Sequence, residues 1–475
     1  MAKENFVEQI ADIDKDFPQW FTDVVVKTKL VDYGPVKGTM VIRPYGYAVW
    51  ENIQAELNRR FKNNGYENAY FPLLIPMSFF TKEAEHVEGF APEVAVVTHA
   101  GGEELSEPLA IRPTSETIIG NMYSKWLQSY RELPILINQW ANVMRWEKTT
   151  RPFLRTSEFL WQEGHSAHAT EEEAEAEAAK MLAVYKEFAE SCLALPVITG
   201  RKTEKEKFAG AVATYGMEAM MKDGKSLQAG TTHFLGQNFA KAFDIKFLDK
   251  DGAQKYAYTT SFGVSTRLIG ALIMAHGDQR GLVMPPVVAP VQVVIVPIAA
   301  KKGNVTEVCL NIKDKLESTG IRVKFDGSDN SPGWKFNEWE MKGVPLRIEL
   351  GPRDIEEGKA VIFRRDSLEK QAYALDGLEN TVKELLAVVQ KDMLESARAR
   401  RDGKIVYADS LDGILQGVDR GNFVKAGWCG CRECEDKVKS YAAATARVFA
   451  EGEKAEKCAI CGKKAEHVVI FARAY

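Results

Sequence analysis

The sequence predicts a mixed α/β protein in three blocks, and three observations carry that prediction. Long amphipathic helices are interleaved with strand-like runs up to about residue 286. Strands and helices then alternate regularly over about 110 residues. Five of the seven cysteines crowd into the last block. At 475 residues the chain is too long for one ordinary core and fits two or three. The blocks are expected at 1–286, 287–401 and 402–475.

In the first block, Tyr47, Trp50, Ile53, Leu57 and Phe61 recur near the 3.6-residue period and predict a helix over 45–63, stopped by a left-handed Gly65. A second helix is predicted after Thr170, which forms a capping-box pattern with Glu173. Met181, Tyr185, Phe188 and Cys192 make its buried stripe, and the glutamates of its first turns suit the positive end of the helix dipole. Between these helices the run RWEKTTRPFLRTSEFLWQEGH, 145–165, reads as a hairpin: strand over 143–147, proline-containing turn at 149–152, return strand over 154–162. In the second block the prolines of MPPVVAPVQVVIVPI, 284–298, stop what precedes, and 291–296 reads as a buried strand. A helix over 305–318, strands at 322–325, 346–350 and 360–364, and a helix over 378–400 follow, implying a small α/β unit with a mostly parallel sheet.

Composition excludes several classes. The apolar fraction of 45% and charged fraction of 27% are ordinary for a globular protein. No run of 18 apolar residues occurs, so no membrane span is expected. The N-terminus lacks a signal-peptide core, and a cytoplasmic location is expected. A net charge of -4 does not advertise a nucleic-acid binder, although an average conceals a local basic face. Neither a P-loop nor a GxGxxG sequence is present, so a Gly-rich phosphate cradle is not indicated. Cysteines at 429, 431, 434, 458 and 461 in so large a chain read as metal binding rather than as a disulfide framework, and the CxxC of Cys458 and Cys461 is the sharper half of that signal.

The 145–165 run carries Arg145, Arg151 and Arg155 beside Glu147, Glu158 and Glu163. Arginines in a hairpin offer a planar fork for phosphate or carboxylate; the same pattern also describes an exposed edge with surface ion pairs. This hairpin resembles motif 2 of the class II aminoacyl-tRNA synthetases. GVSTRLIGALIMAHGD, 263–278, resembles motif 3, and ENAYFPLLIP, 67–76, resembles motif 1, whose proline lies at a dimer interface. IRPTSE, 111–116, is similar to the amino-acid-binding loop of the prolyl and threonyl group. FAPEV, GRKTEKEKFAG, QAGTTHFLGQNFAKAF and SPGWKFNEWEMKGVPLRIELGPRD narrow the likeness to the prolyl-tRNA synthetase family of archaeal and eukaryotic-like type. A threonyl enzyme would need a catalytic zinc held by Cys and His in the central block, where the sole cysteine is Cys192 on a predicted helix.

The resemblance implies a catalytic domain built on an antiparallel sheet, an α/β anticodon-binding domain and a small zinc-binding domain. It implies a homodimeric ligase that takes L-proline, ATP with Mg2+, and tRNA(Pro). Thr114 and Glu116 would bind the proline imino group, and Arg145 its carboxylate together with the α-phosphate. Phe90, Trp161, His165 and Phe208 would wall the pyrrolidine ring, with His233 closing it. Glu147, Arg155 and Thr156 would contact ATP from the motif 2 loop, Phe159 and Arg267 would sandwich adenine, and Gln228, Thr231 and Ser265 would meet ribose and phosphates. Glu340, Arg347 and Arg353 fall where the family reads anticodon guanines, with Arg364 and Arg365 near the RNA backbone. The family's metal quartet corresponds to Cys429, Cys434, Cys458 and Cys461, a structural four-cysteine zinc site with Cys431 as the spare thiol. Tyr475 corresponds to a terminal tyrosine whose carboxylate lies near the active site. The interval from Pro72 to Arg145 leaves no room for an editing domain.

Overall fold

The computed structural model describes residues 10–81 and 94–475. Its centre is a seven-stranded sheet in the order Glu67–Asn68, Ile135–Met144, Glu158–His168, Tyr258–Ser265, Ser226–Gly236, Ala213–Met220, Val197–Arg201. Every pairing in it is antiparallel except the first. One face of this sheet is apolar and is covered by helix Pro44–Asn63, helix Glu171–Leu193 and helix Arg267–His276. The opposite face is the one left open for chemistry.

The helices form for the reasons their sequences suggest. Pro44 opens the first at its N1 position, and Gly65 closes it at φ 86°. Trp50, Ile53, Leu57 and Phe61 are buried as expected, whereas Tyr47 is exposed and Val49 takes its place in the stripe. The Thr170–Glu173 capping box is made, and Met181, Tyr185, Phe188 and Cys192 are all buried. Gly164 has a packing reason: a Cβ there would lie 1.9 Å from the Phe262 ring of the neighbouring strand.

The second sheet runs Val323–Phe325, Val293–Pro297, Leu346–Leu350, Lys359–Arg364, Lys370–Ala374. Its first two pairings are parallel and its last two antiparallel, so the expected mostly parallel sheet is a mixed one. The segment between Leu350 and Lys359 is too short for a crossover, so the chain returns antiparallel. Helices Val305–Ser318 and Leu378–Asp402 flank it. The last block holds a four-stranded sheet, Ile405–Ala408, Phe423–Trp428, His467–Ala472, Thr445–Phe449, with helices Leu411–Asp419 and Arg432–Ala442. Both later blocks are bonded to the first. Arg365 makes a two-pronged pair with Asp278 at 2.6 and 2.7 Å, and the final strand's exit pairs Arg473 O with Ser226 N at 2.7 Å. Among the described residues no helix is long and apolar enough to cross a membrane.

Candidate active site

Period-two alternation on adjacent strands assembles the site. Trp161, Glu163 and His165 stand opposite Ser265, Gly263 and Ser261, and Ser261 stands opposite His233, itself opposite Thr214. One sheet face therefore presents a continuous row of polar and aromatic groups. They line a cleft of about 200 Å³ together with Thr114, Glu116, Arg145, Phe159, Phe208, Gln228, Thr231 and Arg267. A smaller chamber of about 40 Å³ shares Arg145, Phe159, Ser265 and Arg267 with it and adds Glu147, Arg155 and Thr156. All of the expected proline and ATP residues thus meet at one place, save Phe90, which lies outside the described residues.

The motif 2 hairpin differs from its expected outline. Its strands are Ile135–Met144 and Glu158–His168, in register from Ile135↔Ala167 to Met144↔Glu158. The intervening loop spans 145–157 instead of four residues. It is long because its apolar tip turns back: Phe153, at φ 59°, and Leu154 are buried against the start of helix Arg267–His276. Arg145 Nε donates to Pro113 O at 3.0 Å, and its guanidinium lies 5.6 Å from the Phe159 ring and 5.7 Å from Trp161. Arg267 Nε donates to Leu154 O at 3.0 Å. Burial and then the charges of Arg145 and Arg155 push Arg267 down to about 10. Arg155 is offset by Glu147 at 3.6 Å, whereas buried Arg267 feels both neighbouring cations, a charge that an incoming polyanion would relieve.

At the other end, Thr114 donates from Oγ1 to Glu116 Oε2, and both residues are buried. Ser115 does not use its hydroxyl to cap helix Glu116–Trp126; it donates at 2.5 Å to Glu163, which also accepts from Gln139 at 2.8 Å. His165 Nε2 lies 3.0 Å from Glu163. Burial opposes its charge, but Glu163 and Glu116 outweigh burial and raise its pKa. His233 is the reverse case. Burial drives it down to about 4, against the pull of Glu116, so it is neutral at pH 7. Its ring packs against Phe208, centroids 4.5 Å apart and planes tilted by 32°, and is held by Thr214 and Thr231 at 3.0 and 3.1 Å. Among the polar lining residues that sequence reasoning leaves without a role are Glu163, Ser261, Thr214, Lys202, Glu206 and Lys207. Alternation with Trp161 and His165 is the available signal for Glu163. Lys202 carries no local signal, because only the sheet brings it to the cleft.

The predicted anticodon residues are differently disposed. Arg347 is 2% exposed, clasped by Glu340 at 3.1 Å and Glu349 at 2.9 Å between the rings of Phe336 and Phe363. Glu340 also accepts from Arg280 at 3.0 Å. Arg353 is exposed on the short helix Pro352–Glu356. Arg364 is bound by Asp366 and Asp392, and Arg365 is consumed by Asp278, so neither presents a free fork for RNA backbone. Tyr475 donates to Asp223 at 2.6 Å, and its backbone pairs with Ser226, which places the chain terminus beside the catalytic block.

Cys429, Cys434, Cys458 and Cys461 bring their sulfurs within 4.8 Å of one another. A tetrahedral thiolate zinc has an S–S edge of about 3.8 Å, so these four fit such an ion. Four thiolates leave no open position for chemistry. Cys431 Sγ lies 3.3 Å from Cys429, outside the group of four.

Comparisons with known proteins give the family. Residues 97–276 match the family described as tRNA synthetase class II core domain (G, H, P, S and T). Residues 292–385 match an anticodon binding domain, and 411–475 a prolyl-tRNA synthetase C-terminal domain. Proline–tRNA ligase of Acetoanaerobium sticklandii is 60% identical, covering 100% of both chains. That of Alkaliphilus oremlandii is 59% identical, covering 100% of this chain and 99% of its own. The crystal structure of prolyl-tRNA synthetase from Cryptosporidium parvum, complexed with halofuginone and AMPPNP, superposes with a TM-score of 0.95 at 40% identity, covering 98% of this chain and 99% of that one. With its fold and 100% of its residues matched in this way, the chain belongs to the proline–tRNA ligase family of class II aminoacyl-tRNA synthetases.

Proposed function

We propose that the chain activates L-proline with ATP and transfers it to the 3′ end of tRNA(Pro). The observation that carries this reading is the convergence of Arg145 and Arg267 on one cleft whose far end is a Phe208–His233 ring slot beside a buried carboxylate. Glu116 supplies the charge for a secondary ammonium, with Thr114 fixing its orientation. Neutral His233 adds no competing positive charge and gives the pyrrolidine a flat apolar wall. Arg145 sits where the carboxylate and the α-phosphate must meet, and two anions approach only if a cation stands between them.

In the first step a proline carboxylate oxygen attacks the α-phosphorus of ATP, which enters as its magnesium complex, and pyrophosphate leaves. In the second the tRNA 3′-hydroxyl attacks the adenylate carbonyl and AMP leaves. Positioning and charge neutralisation do the work; no side chain is assigned as a general base. The four-cysteine site would hold a structural zinc, motif 1 would form the interface of a homodimer, and Glu340, Arg347 and Arg353 would read the anticodon. Arg353 is the exposed candidate for direct contact, and Arg347 holds Glu340 in place. The threonyl alternative is disfavoured because Cys192 is buried on helix Glu171–Leu193 and does not line the cleft.

One set of measurements tests the reading. Proline-dependent exchange of labelled pyrophosphate into ATP is expected, and Arg267→Ala should lower it about 10²–10³-fold. Arg353→Ala should weaken tRNA charging and spare exchange. The purified protein should leave alanyl-tRNA(Pro) intact. Absence of exchange with proline sinks the whole reading; deacylation of the alanyl ester sinks only the claim that no editing activity lies in the chain.

A further inference from the structure

The cleft has one wall outside the regular sheet. Lys202, Glu206, Lys207 and Phe208 line it from the irregular segment that follows edge strand Val197–Arg201. The catalytic block fixes this segment through Lys202 N→Thr214 O at 2.8 Å and Phe208 N→Thr214 Oγ1 at 2.9 Å. Further anchors come from the C-terminal block, directly or through Glu218. Thr203 Oγ1 donates to Glu435 Oε1 at 3.0 Å in a buried contact, and Lys205 Nζ to Asp436 Oδ1 at 2.5 Å. Lys202 Nζ donates to Glu218 Oε1 at 3.0 Å, and Arg447 grips both oxygens of the same carboxylate, at 2.9 and 3.1 Å. Lys202 also reaches Arg447 O at 3.4 Å. Lys202, Glu218 and Arg447 are 3%, 1% and 7% exposed, so water cannot stand in for any of them. Strand Thr445–Phe449 lies against the edge strand so closely that a Cβ on Gly200 would meet Phe449 O at 2.6 Å.

We propose that the C-terminal block positions the 202–208 wall of the amino-acid pocket, with Arg447, Glu435 and Asp436 as positioning residues. This rests on reading the Phe208–His233 slot as the proline site. The effect is specific to that end of the cleft. The Phe208 ring packs directly against His233, and the charge of Lys202 weighs on the same imidazole. No residue of 202–208 lines the smaller chamber of Arg145, Arg155 and Thr156, where ATP phosphates are assigned.

The test is steady-state ATP–pyrophosphate exchange, with KM measured separately for proline and for ATP in the full-length protein. Arg447→Met should raise KM for proline about tenfold and leave KM for ATP within about twofold, as expected when a contact serving only one substrate is lost. Arg447→Lys, which keeps a cation beside Glu218, should recover much of the loss. Thr203→Val, which removes one hydroxyl, should shift KM for proline in the same direction by a few-fold, roughly the worth of one buried hydrogen bond. Circular dichroism checks folding, and if Arg447→Met does not fold, Thr203→Val decides by the same criterion. A proline KM that stays at the wild-type value, or that rises in step with the ATP KM, overturns the proposal. Wild-type protein without proline-dependent exchange would instead defeat the functional reading on which it rests.

Discussion

At Glu218 a single carboxylate holds two cations in a place water does not reach. Burial pushes its pKa up, but the charges of Lys202 and Arg447 and the Ser226 hydroxyl outweigh burial and hold it at about 2, below the ordinary 4.5. Glu218→Gln would leave Lys202 and Arg447 buried around a neutral acceptor, and removing one partner of such a network typically costs about 3–5 kcal/mol. The pH dependence has a definite sign. The folded pKa lies below the unfolded one, so the stabilisation is complete above about 4.5 and drains away as pH falls toward 2. Denaturant unfolding of the wild type and of Glu218→Gln across that window should show the difference between them shrinking as acid is added. A constant difference would mean that the charge is not what stabilises. None of this is legible in sequence, because Lys202, Glu218 and Arg447 are brought together from three strands' neighbourhoods across a span of 245 residues.

Elements are easier to read than residues wherever a cap or a period is local. Thr170, Glu173 and the stripe Met181, Tyr185, Phe188, Cys192 specify helix Glu171–Leu193 without help from the rest of the chain. Thr170→Ala removes the acceptor for the Glu173 N–H and should cost about 1 kcal/mol in thermal unfolding, with exchange activity unaltered below the transition. An unchanged melting temperature would show that the Thr170 hydroxyl adds nothing to the helix start. Strand Lys370–Ala374 gives no sequence signal because Lys, Gln and Ala are poor strand formers and the strand is an exposed edge. Helix Pro332–Met341 has its signal in view, Ser331 as N-cap and Pro332 at N1, but only three of its residues are buried, so it lacks a strong apolar stripe. The motif 2 loop exceeds its expected length because Phe153 and Leu154 resemble the start of a strand, and only packing on helix Arg267–His276 shows them to be a folded tip.

Across the whole molecule, the three blocks meet through charges whose partners lie far apart in the chain. Arg365 binds Asp278 across 87 residues, and Arg447 binds Glu218 across 229. Helix Arg432–Ala442, which carries Cys434 of the four-cysteine cluster, joins this scaffold, since Cys434 is followed at once by Glu435 and Asp436, which hold Thr203 and Lys205. Stripping the ion with a chelator should therefore loosen residues 402–475 and make them sensitive to limited proteolysis, with binding free energy lost as folding free energy. Unaltered protease resistance after complete metal removal would show that the small sheet stands without it. Amino-acid order alone determined the family, the four-cysteine cluster and the capped helices, because each rests on residue types at short, recognisable spacings. Tertiary structure decided the remainder: the mixed sense of the second sheet, the burial of Arg347 and Arg365 behind carboxylates, and the contacts that tie the C-terminal block to the wall of the cleft. A buried ion pair is defined by which groups lose water together, and that is a property of packing rather than of neighbours along the chain.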